Sequence, residues 1–309
     1  MKAYHGIIPP VVTPLTCHHL LDVAGLERLL SHILSGGVQG IFVLGTTGEG
    51  PALDRDTQNA MMAESVRIVA GRVPVLAGIS SSSFQESVSL GRQAAEAGCS
   101  AVVCAPPCYF NLGEPELVDY YETLVAELNL PLFLYNMPSM TKVYMKPDLV
   151  SRLAKIKGVR GYKDSSGNMA DFHEVLLRQK DREDFSIFVG PEELLGEAVL
   201  FGADGGVSGG ANLNPRLFVA MYEAALAGNI QDMRSYQRQI YEQRRLYSLG
   251  HYQSSMIKGL KSALRQRGIC EDYLARPFNH FEAPDASVVS QVLAECEESS
   301  LYGNRPLST

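Results

Sequence analysis

Lys163 stands at the end of the run Gly158-Val159-Arg160-Gly161-Tyr162-Lys163, which opens into the small-residue turn Asp164-Ser165-Ser166-Gly167. Side chains of a strand alternate between faces, so Val159, Gly161 and Lys163 are expected on one side. Burial disfavours the ammonium form, and a neutral amine attacks a carbonyl to give a Schiff base. A lysine that carries its amine out of a strand end to solvent is the alternative, and this stretch alone does not choose. Two further stretches offer partner groups. In Gly45-Thr46-Thr47-Gly48 the glycines free backbone N–H groups and two hydroxyls can donate, a cradle suited to a small carboxylate, although the same residues are common turn formers. Tyr135 ends the run from Pro131 on the same face as Phe133. A phenol there can pass a proton to and from the carbinolamine that precedes an imine, or it can be a core tyrosine bonded to a backbone carbonyl.

Groups this far apart in sequence meet only if many elements converge. Apolar runs read as strands at 6–12, 41–44, 73–79, 101–104, 131–135, 158–163, 186–189 and 205–208. Amphipathic helical stretches lie between most of them, near 23–34, 55–69, 85–97, 116–128, 147–155 and 169–179, with another near 215–227. Eight such units with near-continuous apolar strands predict an α/β fold, a closed (β/α)8 TIM barrel over 1–228. An open doubly wound sheet is the competing architecture, but the first strand lacks the Gly-x-Gly-x-x-Gly turn of a dinucleotide site. From 229 to 309 the pattern is helical without strands, a C-terminal extension expected to pack on the barrel or to form an oligomerisation surface, with a frayed tail from Glu297. In such barrels chemistry collects just past the C-terminal end of each strand, where the threonines, Tyr135 and Lys163 all fall.

The totals narrow the partners. With 309 residues, 46% hydrophobic and 20% charged, the chain has the make-up of a soluble globular protein. A net charge of −7 offers no basic surface for nucleic acid or anionic lipid. No run is long enough to span a membrane and the first residues lack a leader-like apolar stretch, so a cytoplasmic protein is expected. Six cysteines and seven histidines show neither disulfide nor metal-ligand spacing, and no metal or cofactor is expected. The pair His18-His19, after the first strand, reads as a solvated loop or a group near substrate.

Four motifs in order, Gly45-Thr46-Thr47-Gly48-Glu49, Pro107-Cys108-Tyr109, Tyr135-Asn136-Met137-Pro138 and Gly161-Tyr162-Lys163-Asp164-Ser165, resemble those of the dihydrodipicolinate synthase / N-acetylneuraminate lyase superfamily, the pyruvate-type class I aldolases and dehydratases. Gly205-Gly206-Val207-Ser208 and the C-terminal helices are also similar, so the likeness covers nearly the whole chain. The resemblance implies that Lys163 forms the Schiff base with the keto carbon of pyruvate or another 2-keto acid. It implies that Thr46 and Thr47 hold the carboxylate, and that Tyr135 is the acid/base in a relay through Thr47 to Tyr109. In the superfamily that last tyrosine reaches the neighbouring subunit's site, implying a homo-oligomer, commonly a dimer of dimers.

The same resemblance narrows the substrate. Dihydrodipicolinate synthases carry an arginine two residues beyond the proline of the tyrosine motif, where this chain has Met140. Methionine makes no bidentate carboxylate contact, and the point charge of Lys142 lacks the fork geometry. Gly190 corresponds to a glycine that leaves room for the substrate chain, with Glu192 and Glu193 where lyases of polyhydroxylated acids place hydroxyl-binding carboxylates. Exposed glutamates at a helix start are the plain alternative for that pair. Ser165, Val207 and Ser208 complete the expected substrate wall. The expected activity is carbon–carbon or carbon–oxygen lysis of a hydroxylated 2-keto acid, a 2-keto-3-deoxy sugar acid foremost. Dihydrodipicolinate synthesis and a catalytically silent keto-acid binder are the alternatives.

Overall fold

Strand and helix alternate through the first two-thirds of the chain, and at several of the helices a side chain before the first turn caps the start. In the computed structural model, which describes residues 2–281 and 283–299, β1 (Gly6–Ile7) leads to α1 (Val23–Ser35), β2 (Ile41–Val43) to α2 (Arg55–Val69), and β3 (Val75–Gly78) to α3 (Phe84–Ala97). Next come β4 (Ala101–Cys104), α4 (Glu114–Glu127), β5 (Leu132–Asn136), α5 (Pro138–Thr141) and α6 (Pro147–Leu153). They are followed by β6 (Val159–Asp164), α7 (Met169–Arg178), β7 (Ser186–Val189), α8 (Leu195–Leu200), β8 (Gly205–Gly206) and α9 (Pro215–Leu226). Asp22, Asp54, Ser83 and Asn168 accept backbone N–H groups at the starts of α1, α2, α3 and α7, which fixes where those helices begin.

All neighbouring strands pair in parallel, in the order β1-β8-β7-β6-β5-β4-β3-β2. The ring closes beyond the regular ladder. The Gln39 N–H donates to the Ile7 carbonyl at 2.9 Å, Phe42 N–H to Pro9 at 3.0 Å, and Val11 N–H to Phe42 at 2.8 Å. Pro9 and Pro10 have no N–H to give, so β1 is short and its seam with β2 is an isolated parallel bridge at Pro10 and Phe42. Asn212 supports the same region, its amide donating to Pro10 and Gly209 and accepting from the Val12 N–H. The expected barrel is therefore the observed fold.

Ile8, Phe42, Leu76, Val103, Phe133, Phe188 and Val207 fill the interior and, with Lys163, line a void of about 10 Å³. A larger apolar layer lies between the strands and the surrounding helices. One expected face is corrected. Leu132 pairs with Val159 but Phe133 pairs with Gly161, so a bulge adds one residue to β6. Val159 consequently packs outward with Leu132, while Gly161 and Lys163 belong to the interior. The six-residue α8 and four-residue α5 escape a reading by periodicity because neither completes two helical turns.

Three further helices, α10 (Ile230–Arg244), α11 (Ser255–Gln266) and α12 (Ala283–Ser299), complete the described residues. Gln243 of α10 accepts from the Asn214 amide at 2.5 Å and donates to the Gly210 carbonyl at 3.0 Å, so this helix bonds directly to the loop after β8. Of the tail expected to fray, residues 297–299 end α12 and residues 300–309 lie outside the described residues.

A methyl group at Gly161 would sit 2.1 Å from the Phe133 ring and 2.7 Å from the Ser186 carbonyl. Gly161→Ala is therefore expected to cost about 1–3 kcal/mol through overpacking, read as a lower denaturant midpoint with an unchanged m value.

Candidate active site

The strand pairing that brings Phe133 against Gly161 also sets Tyr135 beside Lys163, one step nearer the strand ends. The Lys163 Nζ lies 4.0 Å from the centre of the Tyr135 ring and 5.2 Å from that of Phe42. The side chain is buried, so the amine does not run out to solvent. Aromatic faces offset part of the cost of holding a cation there.

The ends of the two strands are pinned by Asn136 and Asp164. The Asn136 Nδ2 donates to Asp164 Oδ1 at 2.7 Å, and its Oδ1 accepts the Met145 N–H at 3.0 Å. Asp164 also accepts from the Tyr162 hydroxyl at 3.2 Å, the Ser166 N–H at 3.2 Å and the Ser166 hydroxyl at 2.9 Å. Burial raises its carboxyl above the usual range despite those bonds. Both residues stand in the recognised motifs, but a role in positioning Tyr135 and Lys163 emerges only from the pairing.

Thr46 joins the cluster, with its Oγ1 3.3 Å from the Tyr135 hydroxyl. Burial alone would push that phenol up. The charge of Lys163, with hydrogen bonds from Thr46, Ser165 and Lys163, outweighs it and brings the phenol below its ordinary value. A phenol eased toward ionisation beside an amine can exchange protons with it. Ser165 reaches this position because Gly190 has no side chain: a Cβ there would lie 2.0 Å from the Ser165 hydroxyl. The room above Gly190 is thus occupied by Ser165.

Thr47 is buried, and a Cβ at Gly209 would lie 3.8 Å from both its hydroxyl and that of Tyr247. The loop after β8 therefore meets the threonine turn. Glu192 faces the same loop, its Oε2 accepting the Gly210 N–H at 2.7 Å. With 4% of its surface exposed, Glu192 is not the solvated helix-start residue of the plain alternative, whereas Glu193 pairs with Arg244 at 2.8 Å nearer the surface. Glu192 Oε1, Ser208 Oγ and the Tyr247 hydroxyl are shut off from solvent; Glu192 and Tyr247 face one another, whereas Ser208 Oγ has no hydrogen-bond partner among the described residues. Burial pushes the Glu192 carboxyl up to about 7, against the Gly210 N–H and nearby Tyr247 and Arg244, which favour its ionised form. Val207 lines the same small void as Lys163. Tyr247 carries no chemical signal in sequence, because it stands in a helical region remote from every strand end.

Tyr109 and Met140 stand apart from the buried cluster. Tyr109 is 90% exposed with φ +83°, its ring edge-on to that of Phe110, and Met140 on α5 is 45% exposed. His18 is exposed, and His19 bonds through Nδ1 to the Leu274 carbonyl. Among the described residues no group of three His, Cys, Asp or Glu is arranged to hold a metal, and no helix is long and apolar enough to cross a membrane.

A parallel eight-stranded barrel with a buried lysine and tyrosine side by side at its strand ends is the architecture of the class I lyases. Residues 3–295 match the dihydrodipicolinate synthetase family, and this chain belongs to that family. It is similar to the solved structure of a dihydrodipicolinate synthase from Bacteroides thetaiotaomicron, with a TM-score of 0.92 and 47% identity over 96% of this chain and 99% of the other. A 4-hydroxy-tetrahydrodipicolinate synthase of Methanosphaerula palustris is 30% identical over 94% of this chain and 99% of its own. A probable 2-dehydro-3-deoxy-D-pentonate aldolase of Escherichia coli is 32% identical over 84% and 86%.

Two titrations follow. Lys163→Met removes the cation that eases Tyr135 ionisation, so the phenolate absorbance step that Tyr135→Phe abolishes is expected to move to higher pH. Glu192 binds its proton more tightly folded than unfolded, so its contribution to stability falls as pH rises from about 4.5 to about 7. Glu192→Gln is expected to gain on the parent by about 3 kcal/mol across that window, measured by urea unfolding at a series of pH values.

Proposed function

We propose that this chain is a Schiff-base lyase for a hydroxylated 2-keto acid, a 2-keto-3-deoxy sugar acid, with pyruvate as its ketone fragment. The observation that carries the reading is the buried Lys163 amine against Tyr135, whose hydroxyl continues to Thr46. In this reading the neutral amine adds to the keto carbon. Tyr135 passes the proton that lets the carbinolamine lose water, and the resulting iminium draws electrons from the adjoining carbon. Aldol cleavage sends the C3–C4 bonding pair into the iminium to form an enamine, while C4 leaves as an aldehyde after its hydroxyl proton is removed. Protonation of the enamine and hydrolysis return pyruvate and the free lysine. Loss of a hydroxyl as water uses the same iminium and enamine.

The hydroxylated class of substrate is supported by Glu192, Ser208 and Tyr247. Ser208 Oγ is buried without a partner among the described residues, and the buried carboxyl of Glu192 and phenol of Tyr247 meet near the same loop, groups that substrate hydroxyls would engage. Thr46 and Thr47 take the carboxylate in this reading. Tyr109, exposed and in a left-handed backbone conformation beside exposed Phe110, is assigned to a neighbouring copy's site within a dimer of dimers. Dihydrodipicolinate synthesis is the second reading, favoured by the names of two of the similar proteins. Met140 weighs against it, because a half-exposed thioether cannot fork onto a carboxylate as an arginine does.

Incubation with pyruvate and cyanoborohydride should place a reduced adduct on Lys163 by peptide mass spectrometry. Tyr135→Phe should slow its formation by about 10²–10⁴-fold. Release of pyruvate from 2-keto-3-deoxy acids, without condensation of pyruvate and aspartate semialdehyde, is the expected activity. Condensation alone would select the second reading, and a folded chain giving no adduct would leave only the silent binder.

A further inference from the structure

Glu49 closes the threonine turn, yet its side chain points away from the amine and toward the C-terminal helices. Glu49 Oε1 lies 2.5 Å from the Nζ of Lys261 on α11, and both side chains are wholly buried. The second oxygen, Oε2, accepts the Ala275 N–H at 2.7 Å, and Lys261 also donates to the Tyr273 carbonyl at 2.6 Å. Two charges and two backbone groups thus form one closed set across the junction between the barrel and the C-terminal helices. Burial pulls the Lys261 amine down, and the Glu49 carboxylate acts against that pull.

The set is continuous with the turn that carries Thr46 and Thr47. The Glu49 N–H donates to the Thr46 carbonyl at 3.1 Å, and the Gly50 N–H to Gly45 at 3.2 Å, closing the turn on itself. The Gly48 carbonyl accepts the Thr13 hydroxyl at 2.7 Å. Leu44 and Glu49 bracket the turn with φ +59° and +57°, a left-handed conformation that side-chain-bearing residues hold only when their surroundings impose it. For Glu49 the imposing contacts are Lys261 and Ala275. A buried carboxylate two residues from Thr47 would also repel an anionic substrate if nothing neutralised it.

We infer that the Glu49–Lys261 pair is a positioning device through which the C-terminal helices hold Thr46 and Thr47 in the shape that receives the substrate carboxylate. The inference rests on the carboxylate-binding role proposed above for those threonines. Neither member touches the reacting carbon, so its loss should spare the amine and weaken the carboxylate contact.

Reductive trapping with two carbonyl compounds separates those effects: pyruvate, which has a carboxylate, and hydroxyacetone, which has none. Glu49→Leu combined with Lys261→Met removes both charges at similar volume, and a buried pair replaced in this way commonly folds without loss. Glu49→Gln, which keeps an acceptor for the Ala275 N–H, is the second variant. Each is expected to label Lys163 with hydroxyacetone at the parental rate while needing about tenfold more pyruvate, or greater, for half-maximal labelling. Parental pyruvate dependence in the folded variants, or an equal fall with both compounds, would overturn the inference. A parent that labels with hydroxyacetone but shows no pyruvate saturation would instead remove the threonine assignment, and this inference with it.

Discussion

The contact between the Lys163 amine and the Tyr135 ring constrains most of what surrounds it. An amine can be kept out of water at a strand end only if aromatic faces, hydroxyls and precise strand pairing compensate for lost hydration. Phe42 and Tyr135 supply the faces, and Thr46 and Ser165 supply the hydroxyls around the phenol. The pairing depends on a bulge in β6, on the missing side chain of Gly161, and on the Asn136–Asp164 bond past the reactive pair. The amine and phenol are a product of the β5–β6 seam rather than of either strand.

Around this seam, polar groups divide into two kinds. Asp164, Asn136, Asn212 and Glu49 are each bonded to groups on other elements, and they hold backbone in place. Ser208 Oγ is left without a partner among the described residues, and Glu192 and Tyr247 are buried facing one another near the loop after β8. The bonded groups fix the strand ends and the loops beside them.

Much of this was legible beforehand. The alternation of apolar runs and helical stretches revealed the barrel because each strand is buried on both faces and each helix on one. Lys163, Tyr135 and the threonine turn were legible because a barrel presents its chemistry at strand ends, whatever closes the ring. Val159 was assigned to the wrong face because a bulge changes the count of residues without changing their types. The environment of Glu192 was equally hidden, since a glutamate after a strand reads the same whether it faces water or a neighbouring loop.

What the sequence determined by itself is the set of local patterns: strand and helix periods, capping residues, and reactive side chains at the ends of apolar runs. These depend on near neighbours and so survive in a linear reading. The tertiary structure alone decided which polar groups meet. Tyr247 meets Glu192 near the loop after β8, and Glu49 meets Lys261 across more than two hundred residues. Burial, and with it the charge state of a carboxyl or phenol, is set by neighbours in space, and no spacing along the chain encodes that distance.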